Sequence, residues 1–285
     1  MRKVSLPRMA TAKLNGTELC YGEAGGGLPC LIMHGGLGVD HGYLAGLDIL
    51  GDALRLIYYD HRGNGRSGRP PIETLTFAQL ADDADALRAH LGHGRIAVLG
   101  HSIGGAIALE YALRHPERVS RLILVCTAPS FNLADPAAAE RLARKGMTAE
   151  MAEALAQAGE SDAALRSYVE LAGPLYFHKF DAARYREMIA GIVYSAAAMV
   201  RGFQIAAGWE VLPRLAALRV PTLLVAGGDD AITPPEASLA LQRNILGADL
   251  EVLEHSGHYP WVEQPQEFFF AVRSWLKRCR NADIT

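Results

Sequence analysis

The chain has 285 residues, half of them hydrophobic and 21% charged, which is enough for a substantial core in one large domain or two smaller ones. A net charge of −3 with no basic stripe argues against nucleic acid and anionic membrane surfaces as partners. Four cysteines without C-x-x-C spacing, and no apolar run near ~18 residues, argue against a disulfide framework, a structural metal and a membrane span. The expectation is a chain of the reducing cytoplasm. Its basic start, Met1 to Arg8, leads into no apolar stretch, so no secretory signal is expected.

In chain order, Asn15-Gly16 between two alternating runs predicts a β-hairpin. The apolar run Cys30–Met33 predicts a buried strand ending in His34-Gly35-Gly36-Leu37-Gly38. A second strand, Leu54–Tyr59, runs into the turn-rich Asp60–Gly68 loop, which has glycines but not the lysine of a phosphate loop. Thr76–Leu91 reads as an amphipathic helix with Phe77, Leu80, Ala84, Leu87 and Leu91 on one face. Then come a strand from Arg95 to Leu99, a helix from Ile103 closed by His115-Pro116, and a strand at Leu122–Cys126. This alternation predicts a mostly parallel sheet with helices on both faces. After Pro129 the rhythm changes to helical patterns at Ala137–Lys145, Ala149–Ala158, Asp162–Leu171, Ala182–Ile192 and Ala196–Ala207. The expected organisation is a core of residues 1–129 and 213–285 with a helical cap inserted at 130–212. The sheet resumes at Pro221–Ala226 and again at Asp249–Leu253, and a final helix is expected over Pro265–Lys277.

Within this frame Gly100-His101-Ser102-Ile103-Gly104 stands where a strand turns sharply into a helix. Gly100 and Gly104 are expected to leave room where a Cβ would strike the opposite arm of the turn. The serine is then exposed at the tip, and a helix N-terminus behind it suits a forming anion. A hydroxyl needs a base, and the base needs a carboxylate to fix its tautomer. Both should lie on loops at the C-terminal edge of the sheet. Asp229 and Asp230 follow one strand, and His255 and His258 follow the last. Neighbours on a loop cannot be separated by this argument, although Gly257 would let the chain turn and aim His258 back at Ser102.

These pieces carry a resemblance. His34-Gly35-Gly36, Asp60-x-Arg62-Gly63-x-Gly65-x-Ser67, Gly100-x-Ser102-x-Gly104, Gly227-x-x-Asp230-x-x-x-Pro234 and Gly257-His258-x-x-Trp261-x-Glu263-x-Pro265 make the chain similar to serine hydrolases of the α/β-hydrolase fold over nearly its whole length. The resemblance implies an eight-stranded-type sheet, Ser102 as nucleophile, Asp230 rather than Asp229 as the acid and His258 as the base. It places the oxyanion hole at the backbone N–H groups of Gly36 and Ile103, and it implies neither cofactor nor metal. Asp229 and His255 are then loop residues in contact with solvent, and His101 a buried side chain bonded to a neighbouring loop.

Among such hydrolases the chain looks most like proline-iminopeptidase-like proteins, on His34-Gly35-Gly36 with Tyr43-Leu44, the Tyr59–Ser67 loop and the helical cap. It departs from them at His101 and Ile103, and none of Glu170, Glu187 and Glu210 can be assigned to their amine-binding cap glutamates, although a peptidase would depend on one of the three. Phe131, Met147, Met151, Leu175, Tyr176, Phe177, Met188, Tyr194, Met199, Phe203 and Trp209 are available to the cap, and some of them are expected to line an apolar acyl or alcohol pocket. Ester or lactone hydrolysis is the leading expectation. A prolyl aminopeptidase is the alternative, followed by a carbon–carbon bond hydrolase and a non-catalytic ligand receptor.

Overall fold

The structure, a computed structural model, describes residues 8–131 and 136–282; the start of the chain through Pro7, read above as basic, lies outside them. Eight strands form one sheet: β1 (Ala10–Leu14), β2 (Thr17–Gly25), β3 (Leu28–Met33), β4 (Leu54–Tyr59), β5 (Ile96–His101), β6 (Val119–Val125), β7 (Thr222–Gly227) and β8 (Asp249–Leu253). Their order is β1-β2-β4-β3-β5-β6-β7-β8, antiparallel through the β1–β2 and β2–β4 pairs and parallel from β4 onward. The first hairpin turns at Asn15 (φ 47°) and Gly16 (φ 76°), the left-handed pair that an Asn-Gly turn accepts at low cost. Every residue of β5 and β7 is buried, as expected of parallel strands covered on both faces.

One face is covered by α1 (Phe77–His90) and α2 (Ile103–Arg114). The Thr76 hydroxyl accepts the Gln79 N–H at the start of α1, and Phe77, Leu80, Ala84 and Leu87 are buried as the periodicity predicts. The other face is covered by a 3₁₀ segment, His41–Asp52, which brings Leu44, Leu47 and Leu50 onto β3 and β4. That segment has no signature in the sequence, because glycines interrupt its apolar spacing.

Between β6 and β7 the chain forms α3 (Pro136–Arg144), α4 (Ala149–Gln157), α5 (Asp162–Ala172), α6 (Ala182–Ile189) and α7 (Ala196–Ala206). The ends of this stretch meet through an antiparallel bridge, Ser130 with Glu210, and the Val211 N–H donates to the Pro129 carbonyl at 3.0 Å. α6 stops at Ile189 rather than at the expected Ile192. Ala190 is already extended (φ −62°, ψ 125°), and with Gly191 at φ 81° it forms a type II turn closed by the Ile192 N–H on the Ile189 carbonyl at 3.3 Å. The chain closes with α8 (Pro235–Asn244), the short α9 (Pro260–Glu263) and α10 (Pro265–Ala282), whose Phe268, Val272 and Trp275 complete the second face. Among the described residues no helix is long and apolar enough to cross a membrane.

Candidate active site

The turn from β5 into α2 holds Ser102 at φ 56° and ψ −127°, a conformation that costs an L-residue of order 1–3 kcal/mol. Three hydrogen bonds hold it there. The Ser102 N–H donates to the Val125 carbonyl at 3.0 Å, and the Ser102 carbonyl accepts the Gly105 N–H at 2.8 Å and the Thr127 hydroxyl at 2.6 Å. A Cβ on Gly100 would stand 2.4 Å from the Gly104 carbonyl oxygen, so this glycine does clear the opposite arm. Gly104 has a different task, because its Cβ would strike the carbonyls of Met33 at 2.2 Å and His34 at 2.5 Å. It lets the end of β3, with the glycine loop that follows, lie directly against the turn.

The two carboxylates after β7 point in opposite directions. Asp230 is buried, and its Oδ2 accepts the His258 Nδ1–H at 2.7 Å and the Thr233 hydroxyl at 2.8 Å. Its Oδ1 accepts the N–H groups of Ile232 at 2.8 Å and Thr233 at 3.1 Å. Asp229 instead faces outward to His178 Nδ1 at 3.0 Å and to the Lys145 ammonium, so the expected solvated charge is an ion-paired one. Burial opposes ionisation of Asp229, but Lys145 and His178 outweigh it and lower its pKa. His255 lies exposed beside His178, their ring centres 5.6 Å apart, and takes no part in the buried pair.

His101 is buried in a directed chain. The Gly35 N–H donates to the Tyr43 hydroxyl oxygen at 2.7 Å, and the Tyr43 O–H donates to His101 Nδ1 at 2.8 Å. His101 Nε2–H donates to the His258 carbonyl at 2.9 Å. A carbonyl can only accept, so the proton of the neutral ring belongs on Nε2. Burial and the neighbouring His258 hold the His101 pKa well below the usual histidine value. The expected bond to a neighbouring loop is thus a link between the loop after β3 and the loop after β8. His34 is likewise buried and organises its loop, taking the His61 N–H on Nε2 at 3.1 Å.

Ser102, His258, Gly36 and Ile103 open onto one cavity of about 210 Å³. Its walls are Leu37, Val39, Ile189, Ile192, Met199 and Phe203 together with the tyrosines 43, 168, 176, 185 and 259. No carboxylate, ammonium or guanidinium lines it among the described residues. Glu170 pairs with Arg166 at 2.7 Å, Glu210 accepts the Leu212 N–H at 2.9 Å, and Glu187 is exposed on α6. Of the apolar residues expected from the 130–212 stretch, Phe131, Tyr176, Met199 and Phe203 reach the cavity, while Phe177 packs against Tyr185 and Tyr259 instead. The sequence reading missed Thr233 and the tyrosines 168, 185 and 259, none of which has a pattern that separates it from core packing.

Cys126, Asp230 and His258 place their side-chain donor atoms within 4.8 Å of one another, the spacing of a metal site. Asp230 and His258 already satisfy each other, and burial together with the charge of Asp230 raises the Cys126 pKa well above the usual thiol value. The protonated thiol makes this a poor metal site.

A family model for the alpha/beta hydrolase fold matches residues 29–265. A proline iminopeptidase, PfmaB of Pestalotiopsis fici, is 31% identical over 278 residues, 93% of this chain and 98% of the relative. An esterase from Exiguobacterium antarcticum superposes with a TM-score of 0.77 at 25% identity, over 95% of this chain and 100% of that one. A thermophilic esterase from Thermogutta terrifontis does so with a TM-score of 0.71 at 28% identity, over 95% and 99% of the two chains.

Proposed function

The chain belongs to the alpha/beta hydrolase family, and from that premise we propose that it is a serine hydrolase of small neutral carboxylic esters or lactones. The observation that carries the reading is one uncharged cavity shared by Ser102 and His258, with Asp230 bonded behind the imidazole. His258 Nδ1–H donates to Asp230, which leaves the Nε2 lone pair to take the Ser102 proton as Oγ attacks the substrate carbonyl. The N–H groups of Gly36 and Ile103 receive the negative charge that develops on the carbonyl oxygen. The imidazolium then protonates the departing alkoxide, and water repeats the sequence to release the acid and restore Ser102.

The helices of residues 130–212 act in this reading as a cap that supplies much of the cavity wall. A cavity of about 150 Å³ takes up a benzene ring, so about 210 Å³ holds a ring with a few further heavy atoms. The aminopeptidase alternative draws support from the 31% identical proline iminopeptidase. It needs an acidic partner for the substrate's amine, which favours the ester reading for a cavity walled as this one is. The test is turnover of p-nitrophenyl acetate and of proline p-nitroanilide by the protein and by Ser102→Ala, with fluorophosphonate labelling of Ser102. Ester turnover that vanishes with Ser102 supports the proposal; turnover of the proline substrate alone overturns it.

A further inference from the structure

The loop that carries His258 has backbone donors without strand partners, and each must be satisfied elsewhere. The His255 N–H donates to Gln264 Oε1 at 2.8 Å, and the Gly257 N–H donates to Glu263 Oε2 at 2.7 Å. The His258 N–H crosses to the inserted stretch and donates to the Tyr176 carbonyl at 2.7 Å. The same Glu263 carboxylate takes two donors from that stretch, the His178 N–H on Oε2 at 3.2 Å and the Lys179 N–H on Oε1 at 2.8 Å. One side chain therefore holds amides from segments 84 and 85 residues away together with the amide next to His258. Between these segments there is no room for a side chain. A Cβ on Gly257 would stand 2.4 Å from the Tyr176 carbonyl oxygen and 2.9 Å from the Phe177 Cα. Tyr176 and Phe177 both pack on Tyr259, the residue after His258, with ring centres 5.8 and 5.2 Å away.

We propose that Glu263 is a positioning residue that fastens the 176–179 stretch to the Gly257-His258 turn, so that His258 stands at Ser102 only while that stretch is docked. The inference rests on His258 being the base. Glu263 touches no reacting atom; it acts through the backbone on either side of the imidazole. Its chemistry suits the task because a carboxylate accepts on both oxygens, whereas a glutamine would turn its NH₂ toward at least one of the three donors. Closing the cavity and placing the base then become one event, and a fault in the clasp appears in kcat rather than in KM.

The experiment compares wild type with Glu263→Gln, and with Glu263→Asp should the first not fold, using Asp249→Asn, at the exposed ion pair with Arg278, as the control. The expected result in Glu263→Gln is a 10- to 100-fold loss of kcat per fluorophosphonate-titrated site, with KM within threefold and a shifted acidic limb in the pH profile. Amide hydrogen exchange reads the clasp without reference to activity. Residues 178, 179, 257 and 258 should exchange at a common rate in wild type and lose protection together in the variant. Separate exchange rates in wild type, differing more than tenfold between the two segments, overturn the proposal, as does unchanged kcat and pH profile per titrated site in the variant. Failure of wild type to label or turn over ester would instead overturn the hydrolase reading, while the exchange data still report on the clasp.

Discussion

Replacing Asp230 by asparagine is the sharpest test of the charge behind the imidazole. The exchange preserves shape: Oδ1 can still accept the N–H groups of Ile232 and Thr233. At the Oδ2 position it substitutes an NH₂ that faces His258 Nδ1, now 2.7 Å from the carboxylate, and the Thr233 hydroxyl at 2.8 Å. The hydroxyl adapts by accepting. The imidazole can adapt only by giving up its Nδ1 proton, and that moves the proton to Nε2, where the proposed mechanism needs the lone pair. An equivalent exchange in a serine-protease triad lowers kcat about 10⁴-fold, ~5.5 kcal/mol of transition-state stabilisation. The same loss is expected here in single-turnover hydrolysis of p-nitrophenyl acetate at pH 7.5, with urea stability changed by less than ~2 kcal/mol because two of the four bonds remain. Asp229→Asn weakens two partly exposed ion pairs, to Lys145 and His178, each worth of order 0–1 kcal/mol, and should leave kcat within threefold. Equal losses in the two variants, or the larger one at Asp229, would refute the argument.

Ser102→Ala should lower kcat about 10⁶-fold without loss of fold, checked by circular dichroism beside the activity assay. Tyr43→Phe leaves the Gly35 N–H and His101 Nδ1 without partners in a buried site, and should cost ~1–3 kcal/mol in urea unfolding. Met199→Ala, in the cavity wall, should raise kcat/KM for butyrate relative to acetate, each methylene being worth ~1–3 kcal/mol. Phe177→Ala, outside the wall, should cost ~3–5 kcal/mol of stability with the chain-length preference unchanged. Burial depresses the pKa values of His34, His61 and His101, aided at His61 by His34 and at His101 by His258, so the unfolded chain binds protons that the folded chain refuses. Their penalty is absent above the ordinary value of 6.5 and grows as pH falls below it, at up to ~4 kcal/mol per pH unit for three such rings, which urea titrations from pH 7 to 5 would measure.

Much of this arrangement was legible because local chemistry dictated it. Asn15-Gly16 demands a left-handed pair, and both residues adopt one. The runs Ile96–Leu99 in β5 and Leu223–Ala226 in β7 are apolar because both faces of the sheet are covered there, and Gly100 marks a turn whose opposite arm leaves no room for a Cβ. What stayed hidden depends on contacts distant in the chain. Nothing near Gly104 in sequence says that it clears the end of β3, 70 residues earlier, rather than its own turn. Phe177 and Phe203 read alike as aromatic residues of the inserted helices, yet one packs on Tyr185 and Tyr259 while the other faces the cavity.

The two aspartates after β7 show where such a reading stops. Their separation by one residue gives them the same loop, the same exposure to the sheet edge and the same formal charge. What divides them is the local path of the backbone. The Asp230 N–H closes a turn onto the Gly227 carbonyl at 3.3 Å, and the Asp229 N–H donates to the Ser256 carbonyl at 2.9 Å, so successive side chains leave on opposite sides. One side meets Thr233 and His258; the other meets Lys145 and His178. The outward carboxylate can ionise against cations at little cost because water reaches it. The inward one is buried, and it is held by two backbone N–H groups, a hydroxyl and an imidazole N–H. That set of four donors, not the identity of the residue, is what suits the one aspartate to the role proposed for it and leaves its neighbour a surface tether.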